Sequence, residues 1–209
     1  MDHRGVWRLG EDEISHVMSA AAHLGLPGRR DEALDFGCGV GRLTRAMTRY
    51  FSNCTGVDVA ETMIDQAERL NQGYPCRFLV NDTDNLAQFE DSIFDFVYTA
   101  LVLQHLPAVD VIRTFIAEFL RVLKPDGGLL AFQLPTYVPP RSLRNRLRLR
   151  TRAFAALSAL GLDKRVLYDR FKLVPVMQMN FIPKQDVLTY LRIPWGEHPG
   201  SAVREIRVR

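Results

Sequence analysis

The stretch Leu34-Asp35-Phe36-Gly37-Cys38-Gly39-Val40-Gly41-Arg42-Leu43-Thr44 carries the most structural information in this chain. It passes from an apolar, strand-like run through three alternate glycines into a segment with helical spacing. A strand that turns at once into a helix needs residues without a Cβ where its backbone must approach a ligand, and Gly37, Gly39 and Gly41 supply them. An acidic residue, Asp58, ends the next apolar run. A glycine turn and an acid at neighbouring strand ends are the chemistry of a nucleotide-bearing cofactor. The spacing then chooses among cofactors. A dinucleotide fingerprint is G-x-G-x-x-G, and Arg42 stands where its third glycine belongs, so a pyrophosphate seat on the helix N-terminus is disfavoured.

Outward from this turn the chain alternates helix and strand. Ile14, Val17, Met18, Ala21 and Leu24 recur at helical spacing after Glu11-Asp12-Glu13, and Gly25, Pro27 and Gly28 stop the run. Strands are predicted over 33–36, 55–59, 77–80, 93–99 and 128–134, with helices over 43–51, 63–70 and 112–123 between them. Strands separated by helices of this length pair in parallel through right-handed crossovers. The predicted fold is therefore α/β, a doubly wound, mostly parallel Rossmann-like sheet with helices on both faces and ligands at the carboxyl ends of the strands.

The G-x-G-x-G run resembles the first motif of the class I S-adenosylmethionine-dependent methyltransferases, whose ligand lays its methionine part along this loop. Further pieces stand in the same order. Gly56-Val57-Asp58-Val59 followed by Met63, Asn81-Asp82-Thr83, Phe94-Asp95-Phe96-Val97 with Leu103-Gln104-His105-Leu106, and Leu123-Lys124-Pro125-Asp126-Gly127-Gly128 all resemble the family pattern. The resemblance covers residues 31–134 closely. It implies six or seven strands and S-adenosyl-L-methionine as cofactor. Asp35, Gly37, Cys38 and Gly39 would then line the loop, Asp58 with Val59 would take the ribose hydroxyls, and Met63 would pack on the adenine ring. Asn81, Asp82 and Thr83 would meet the adenine amino group, and Thr99 and Leu101 would close the site from the fourth strand.

Asp95 reads differently, as a hydrogen-bonded structural acid, because it begins its strand at the end opposite the site. His105 falls where an acceptor substrate would sit and is the candidate catalytic base, with a packed, hydrogen-bonded histidine as the alternative. Pro75-Cys76 precedes the third strand, on the wrong side of the sheet for a cytosine-methylating nucleophile. Thr99-Ala100-Leu101 stands where amino-methylating enzymes of nucleic acids carry an Asn/Asp-Pro-Pro-aromatic turn, so no nucleic-acid substrate is expected.

With 209 residues, 47% hydrophobic and 24% charged, the chain fits one domain with a sizeable core. No apolar run reaches the roughly 20 residues of a membrane span and the N-terminus lacks a signal-like stretch, which points to a cytoplasmic protein. Cys38, Cys54 and Cys76 are odd in number and share no C-x-x-C spacing, so reduced thiols are expected, with no metal site.

The net charge of +3 conceals a division. Residues 1–140 hold 12 basic against 19 acidic residues, a net −7, whereas residues 141–172 hold 10 against 2, a net +8. In that insert Arg141, Arg144, Arg146, Arg148, Arg150 and Arg152 alternate with apolar residues. It reads as a lid over the acceptor pocket, either a solvated helix face or a site for an anionic partner, with membrane-surface association as a further use. The expected organisation is an N-terminal helical cap (1–30), a cofactor-binding core (31–134), a basic lid (135–176) and the C-terminal end of the same domain (177–209). Asn180 to Leu188 resembles the start of the family's last helix, Ala202 to Val208 is the remaining strand-like run, and 177–181 is a candidate substitute for a second.

The resemblance implies transfer of a methyl group to an oxygen or nitrogen, less readily a carbon, of a small molecule, for which the basic insert suggests an anionic group, and leaves the oligomeric state open. Tyr137 and Tyr168 are alternative bases. A methyltransferase-like binding or scaffold protein without turnover is the alternative function, and a nicotinamide-dependent oxidoreductase is disfavoured by Arg42.

Overall fold

A computed structural model describes residues 3–136, 149, 152–154, 156–162, 180 and 182–192. Within them the elements run α1 (His3–Ala22), β1 (Glu32–Phe36), α2 (Arg42–Met47), β2 (Asn53–Asp58), α3 (Glu61–Leu70) and β3 (Cys76–Val80). They continue through β4 (Phe96–Thr99), a 3-10 turn at Leu103–His105, α4 (Val109–Val122), β5 (Leu129–Phe132) and α5 (Lys184–Arg192). The strands form one sheet in the order β3-β2-β1-β4-β5, and every pairing is parallel.

Five strands among the described residues is fewer than the six or seven expected. Residues 202–208 and 177–179 and most of the arginine-rich insert, as well as Tyr137 and Tyr168, lie outside the described residues.

Alternation along the strands explains the layering. Leu34, Phe36, Val57 and Val97 point into a core shared with α4 and α5, where Phe36 packs against Phe115 at 4.6 Å and Phe119 at 5.0 Å between ring centroids. Their neighbours Ala33, Phe96 and Tyr98 point to the other face, into a second core with Ile14 and Met18 of α1 and Leu43, Ala46 and Met47 of the α2 segment. A sheet buried on both faces needs strands without a polar side, which is why β4 is buried along its whole length.

Two of the boundaries that differ from those predicted are set by tertiary contacts. The fourth strand begins at Phe96 rather than Ile93, because the preceding residues are used otherwise. Ile93 and Phe94 N–H groups both donate to the Val122 carbonyl at 2.9 Å, closing the end of α4. Asp95, only 2% exposed, accepts the Asp31 and Glu32 N–H groups at 2.9 Å and pairs with Lys124 Nζ at 2.8 Å. Burial alone would raise its carboxyl pKa, but Lys124 and the two N–H donors outweigh burial and hold it below the ordinary carboxylate range. Asp95 is thus the structural acid expected, anchoring β1 and the α4–β5 turn at the end of the sheet remote from the glycine turn.

The other difference is α1, which starts at His3, well before the acidic cluster. A ladder of arginines following the glycine turn explains the extension. Arg45 is held between the rings of Trp7 and Tyr74, at 4.7 and 4.0 Å from their centroids, Arg49 pairs with Glu11 at 2.8 Å, and Arg42 pairs with Glu13 at 3.0 Å. Gly10 permits the approach, since a Cβ there would lie 2.8 Å from the Arg42 carbonyl oxygen.

Candidate functional site

The strand order reverses between β1 and β4, so the loops after these strands leave in opposite directions and open a crevice at the carboxyl edge of the sheet. The glycine turn borders it. Gly37, at φ +76°, donates its N–H to the Val57 carbonyl at 2.8 Å, and a Cβ at this position would meet Val102 Cγ2 at 2.3 Å. Gly41, at φ +81°, is the N-cap of α2, and a Cβ there would strike Asn71 Nδ2 and Phe78. Gly39 is different. Its φ is +53°, yet a Cβ would meet no atom within 4 Å, so an open cradle lies over this glycine.

Asp58 joins two of the loops. One carboxylate oxygen accepts the Gly39 N–H at 2.9 Å and the other accepts the Ala60 N–H at 3.0 Å. Each oxygen keeps a lone pair for a further donor, and the side chain is only half-buried. Strung along the same edge are three large apolar side chains that a core would normally claim: Val59 at 70%, Leu101 at 59% and Met63 at 40% exposure. An acid flanked by apolar surface, beside a glycine with room above it, fits an adenosine with its ribose hydroxyls on Asp58. Leu101 itself has φ +62°, a left-handed conformation uncommon outside glycine and a sign of constraint where the β4 loop turns.

The remaining sequence-predicted residues divide by position. Asn81 is 9% exposed and spends its side chain locally, donating to the Thr83 carbonyl at 3.1 Å and accepting from Gln88 Nε2 at 3.2 Å. Asp82 and Thr83 are exposed at the end of β3, with Thr83 bonded to Asn85. Asp35 and Cys38 lie beneath the turn. Asp35, 1% exposed, accepts the Thr44 hydroxyl at 2.7 Å, and burial raises its pKa to about 6 despite that bond. Cys38 packs on Ile64, Ala67 and Phe78, and burial pushes its thiol well above its ordinary pKa, so it stays protonated. All three cysteines are free.

His105 closes the 3-10 turn after β4 with its side chain exposed, so it is not a packed core histidine. The residues around it were less legible in the sequence. Gln104 is 3% exposed with its Oε1 unpartnered, and Thr99 is fully buried with its Oγ1 unpartnered. Two orphan oxygens so near the crevice are what a polar ligand or an ordered water would satisfy. Asn180 clasps the turn from outside: its N–H donates to the Gln104 carbonyl at 2.8 Å and its Nδ2 to the Leu106 carbonyl. Nothing local in the sequence announced that contact, which spans 74 positions. The signal for Val102 was its place opposite Gly37, visible only once the two loops meet.

Residues 34–131 match the family described as "Methyltransferase domain". Over 112 residues the chain is 33% identical to a ubiquinone biosynthesis O-methyltransferase of Xanthomonas campestris pv. campestris, covering 52% of this chain and 44% of that protein. It is 30% identical over 138 residues to 24-methylenesterol C-methyltransferase 2 of Oryza sativa subsp. japonica, covering 64% of this chain and 35% of the relative. It is also 35% identical over 100 residues to phosphoethanolamine N-methyltransferase 2 of Caenorhabditis elegans, covering 46% and 22% respectively. The chain spans less than half the length of these curated relatives. A crystal structure of a Bacillus halodurans C-125 protein superposes with a TM-score of 0.60 at 19% identity, covering 86% of this chain and 67% of that one, which shows the shared fold. The parallel 3-2-1-4-5 sheet, the glycine turn and Asp58 thus fall in the part of the chain, residues 34–131, that is similar to methyltransferase domains.

Proposed function

We propose that this protein transfers a methyl group from S-adenosylmethionine to an oxygen or nitrogen of a small molecule. The observation that carries the reading is Asp58, which bridges the Gly39 and Ala60 amides at the end of β2 beside the open space over Gly39. The donor, when bound, supplies an activated methyl on a positively charged sulfonium. The chain's own residues then have little bond chemistry to perform. They orient the donor, exclude water and accept a proton from the acceptor where one must leave, and positioning of this kind is worth several kcal/mol.

In this reading Asp58 takes the ribose hydroxyls, Val59, Met63 and Leu101 cover the adenosine, and Asn81, Asp82 and Thr83 border the adenine. Gly37 and Gly39 let the methionine part lie on backbone, with Asp35 and Cys38 supporting the turn from below and Thr99 closing the floor. The relatives methylate oxygen, carbon and nitrogen by their names, at similar identity, so the acceptor atom is not carried by the matched segment. An acceptor with a negative group is the reading favoured by the +8 insert, whose arginines suit bidentate pairing with carboxylate or phosphate. No helix among the described residues is long and apolar enough to cross a membrane, and a cytoplasmic location is proposed on the sequence grounds above.

Calorimetric titration with S-adenosylmethionine, and with NAD as the competing ligand, tests the reading directly. Binding of the first and not the second is expected. Asp58→Ala should weaken the donor by about 1.5 to 3 kcal/mol, the range for a lost charge-assisted hydrogen bond; equal affinity in variant and parent removes Asp58 from the site. His105→Ala should reduce kcat for any confirmed acceptor and leave donor affinity within about 0.3 kcal/mol, because a base acts on the acceptor's proton. A collapse of donor binding in that variant makes His105 a cofactor residue.

A further inference from the structure

Glu13 lies on α1, outside the family-matched segment, and no motif marks it. Its carboxylate nevertheless holds both sides of the crevice. One oxygen accepts the Tyr98 hydroxyl at 2.9 Å, and the other accepts both terminal guanidinium nitrogens of Arg42 at 3.0 Å. Arg42 directly follows Gly41, the residue that caps α2 and ends the glycine turn. Tyr98 directly precedes Thr99, where β4 ends and its loop begins. The two partners therefore sit one residue from the two loops that must keep a fixed separation for a ligand to lie between them.

The surroundings make this contact more than a surface ion pair. Tyr98 is 7% exposed, and both Arg42 and Glu13 side chains are largely shielded, at 25% and 32% exposure. Burial, and then Glu13, keep the Tyr98 phenol protonated and donating. The fork of Arg42 on a single carboxylate oxygen fixes direction as well as distance. Gly10, three residues earlier on α1, lets the helix backbone rest against Arg42. Glu11 offers an internal comparison. It pairs with Arg49 at 2.8 Å, so it also ties α1 to the segment after the glycine turn, but Arg49 lies beyond the end of α2 rather than next to the turn.

We infer that Glu13 is a positioning residue of the methyl-donor site, acting through Arg42 and Tyr98 to hold the glycine turn and the β4 loop at the separation the donor requires. The inference rests on the function proposed above and adds to it a residue outside the matched domain. It makes α1 part of the binding apparatus rather than only a cap on the sheet.

The test compares Glu13→Gln with Glu11→Gln in the full chain. Each removes one negative charge and one arginine pair from the same helix. Two readouts are taken: hydrogen exchange of the 37–41 amides in donor-free protein, and calorimetric affinity for S-adenosylmethionine. Glu13→Gln should speed exchange at Gly39 and Gly41 and raise the donor Kd, each by about tenfold, the scale of one charge-assisted hydrogen bond. Glu11→Gln should leave both within about twofold, because its partner Arg49 is 59% exposed and the pair is screened by solvent. The swap Glu13→Arg with Arg42→Glu should recover most of the lost affinity.

Equal changes in the two single variants overturn the proposal and leave Glu13 as one more anchor of α1, and so does unchanged exchange in Glu13→Gln. If the parent protein binds no S-adenosylmethionine at all, the functional reading falls. The exchange comparison then still decides, without the donor, whether Glu13 holds the turn.

Discussion

Gly37→Ala is expected to lower the unfolding free energy by about 2 to 5 kcal/mol, combining a left-handed backbone with an overpacked contact. The position tolerates a side chain on neither count. Its φ of +76° is one that L residues with a Cβ rarely adopt, and the added carbon would sit 2.3 Å from Val102 Cγ2. The backbone cannot simply retreat, because the Gly37 and Cys38 N–H groups are both bonded to the Val57 carbonyl, at 2.8 and 3.0 Å. Truncating the neighbour should help only in part. Val102→Ala in the Gly37→Ala background removes both Cγ atoms and should restore about 1 to 3 kcal/mol, the overpacking share, leaving the backbone cost in place. Gly39→Ala supplies the contrast, since its Cβ would enter open space. It should cost only about 1 to 2 kcal/mol of stability, while its methyl group intrudes on the cradle and weakens the donor at least about tenfold. Urea denaturation of the three variants beside donor titration separates the effects; a Gly37→Ala protein as stable as the parent would show that Val102 does not pack as described.

The second large effect is a pH dependence built on Asp35. Burial raises its carboxyl from 3.8 to about 6, with the Thr44 hydroxyl and N–H and the Arg42 charge opposing the rise and Glu13 assisting it. The native state therefore holds a proton between these values that the unfolded chain has released, so stability attributable to this group falls as pH rises from about 4 and levels off above about 6. At neutral pH the ionised, buried carboxylate costs on the order of 3 kcal/mol, because each tenfold change in proton affinity between the folded and unfolded chain is worth about 1.4 kcal/mol. Asp35→Asn keeps an acceptor for the Thr44 hydroxyl and removes the titration. The variant should thus gain on the parent by about 3 kcal/mol between pH 4 and pH 7. Asp95 gives both proteins the opposite slope, because its lowered pKa contributes stability that is lost as pH falls, and it cancels in the difference. Parallel stability curves for parent and variant across this range would show that Asp35 is not strained by its burial.

A negative charge retained at such cost under the glycine turn would serve the proposed function. Asp35 lies two residues before Gly37, beneath the region assigned to a donor whose sulfonium and ammonium are both positive. It is buried and accepts the Thr44 hydroxyl at 2.7 Å. In the proposed function its field would act on the donor's positive charge, strengthened because burial limits screening.

Much of this arrangement was legible in consecutive residues. The glycine turn, Asp58 at the end of its strand, the amphipathic α4 and the alternation of elements all follow from residue spacing, since helical and strand periodicities are properties of short windows. Boundaries were less legible where a tertiary contact took over a residue. Ile93 to Asp95 look like strand, but their backbone and carboxylate close α4 and anchor β1. The first turns of α1 show no acidic start, because Trp7 and Gly10 are there for Arg45 and Arg42.

By itself, then, the sequence determined the fold class, the resemblance to methyltransferase domains, the glycine turn and the acid at the next strand end, for these depend on residues within a few positions of one another. Only the tertiary structure decided which glycine faces open space and which is walled by Val102, that Asp35 is buried while Asp58 is open, and that Glu13 meets Tyr98 across 85 positions of chain. The reason is physical: φ/ψ preference and amphipathicity act locally. Burial, desolvation and the direction of a carboxylate are set by whichever distant segments the closed sheet brings against it.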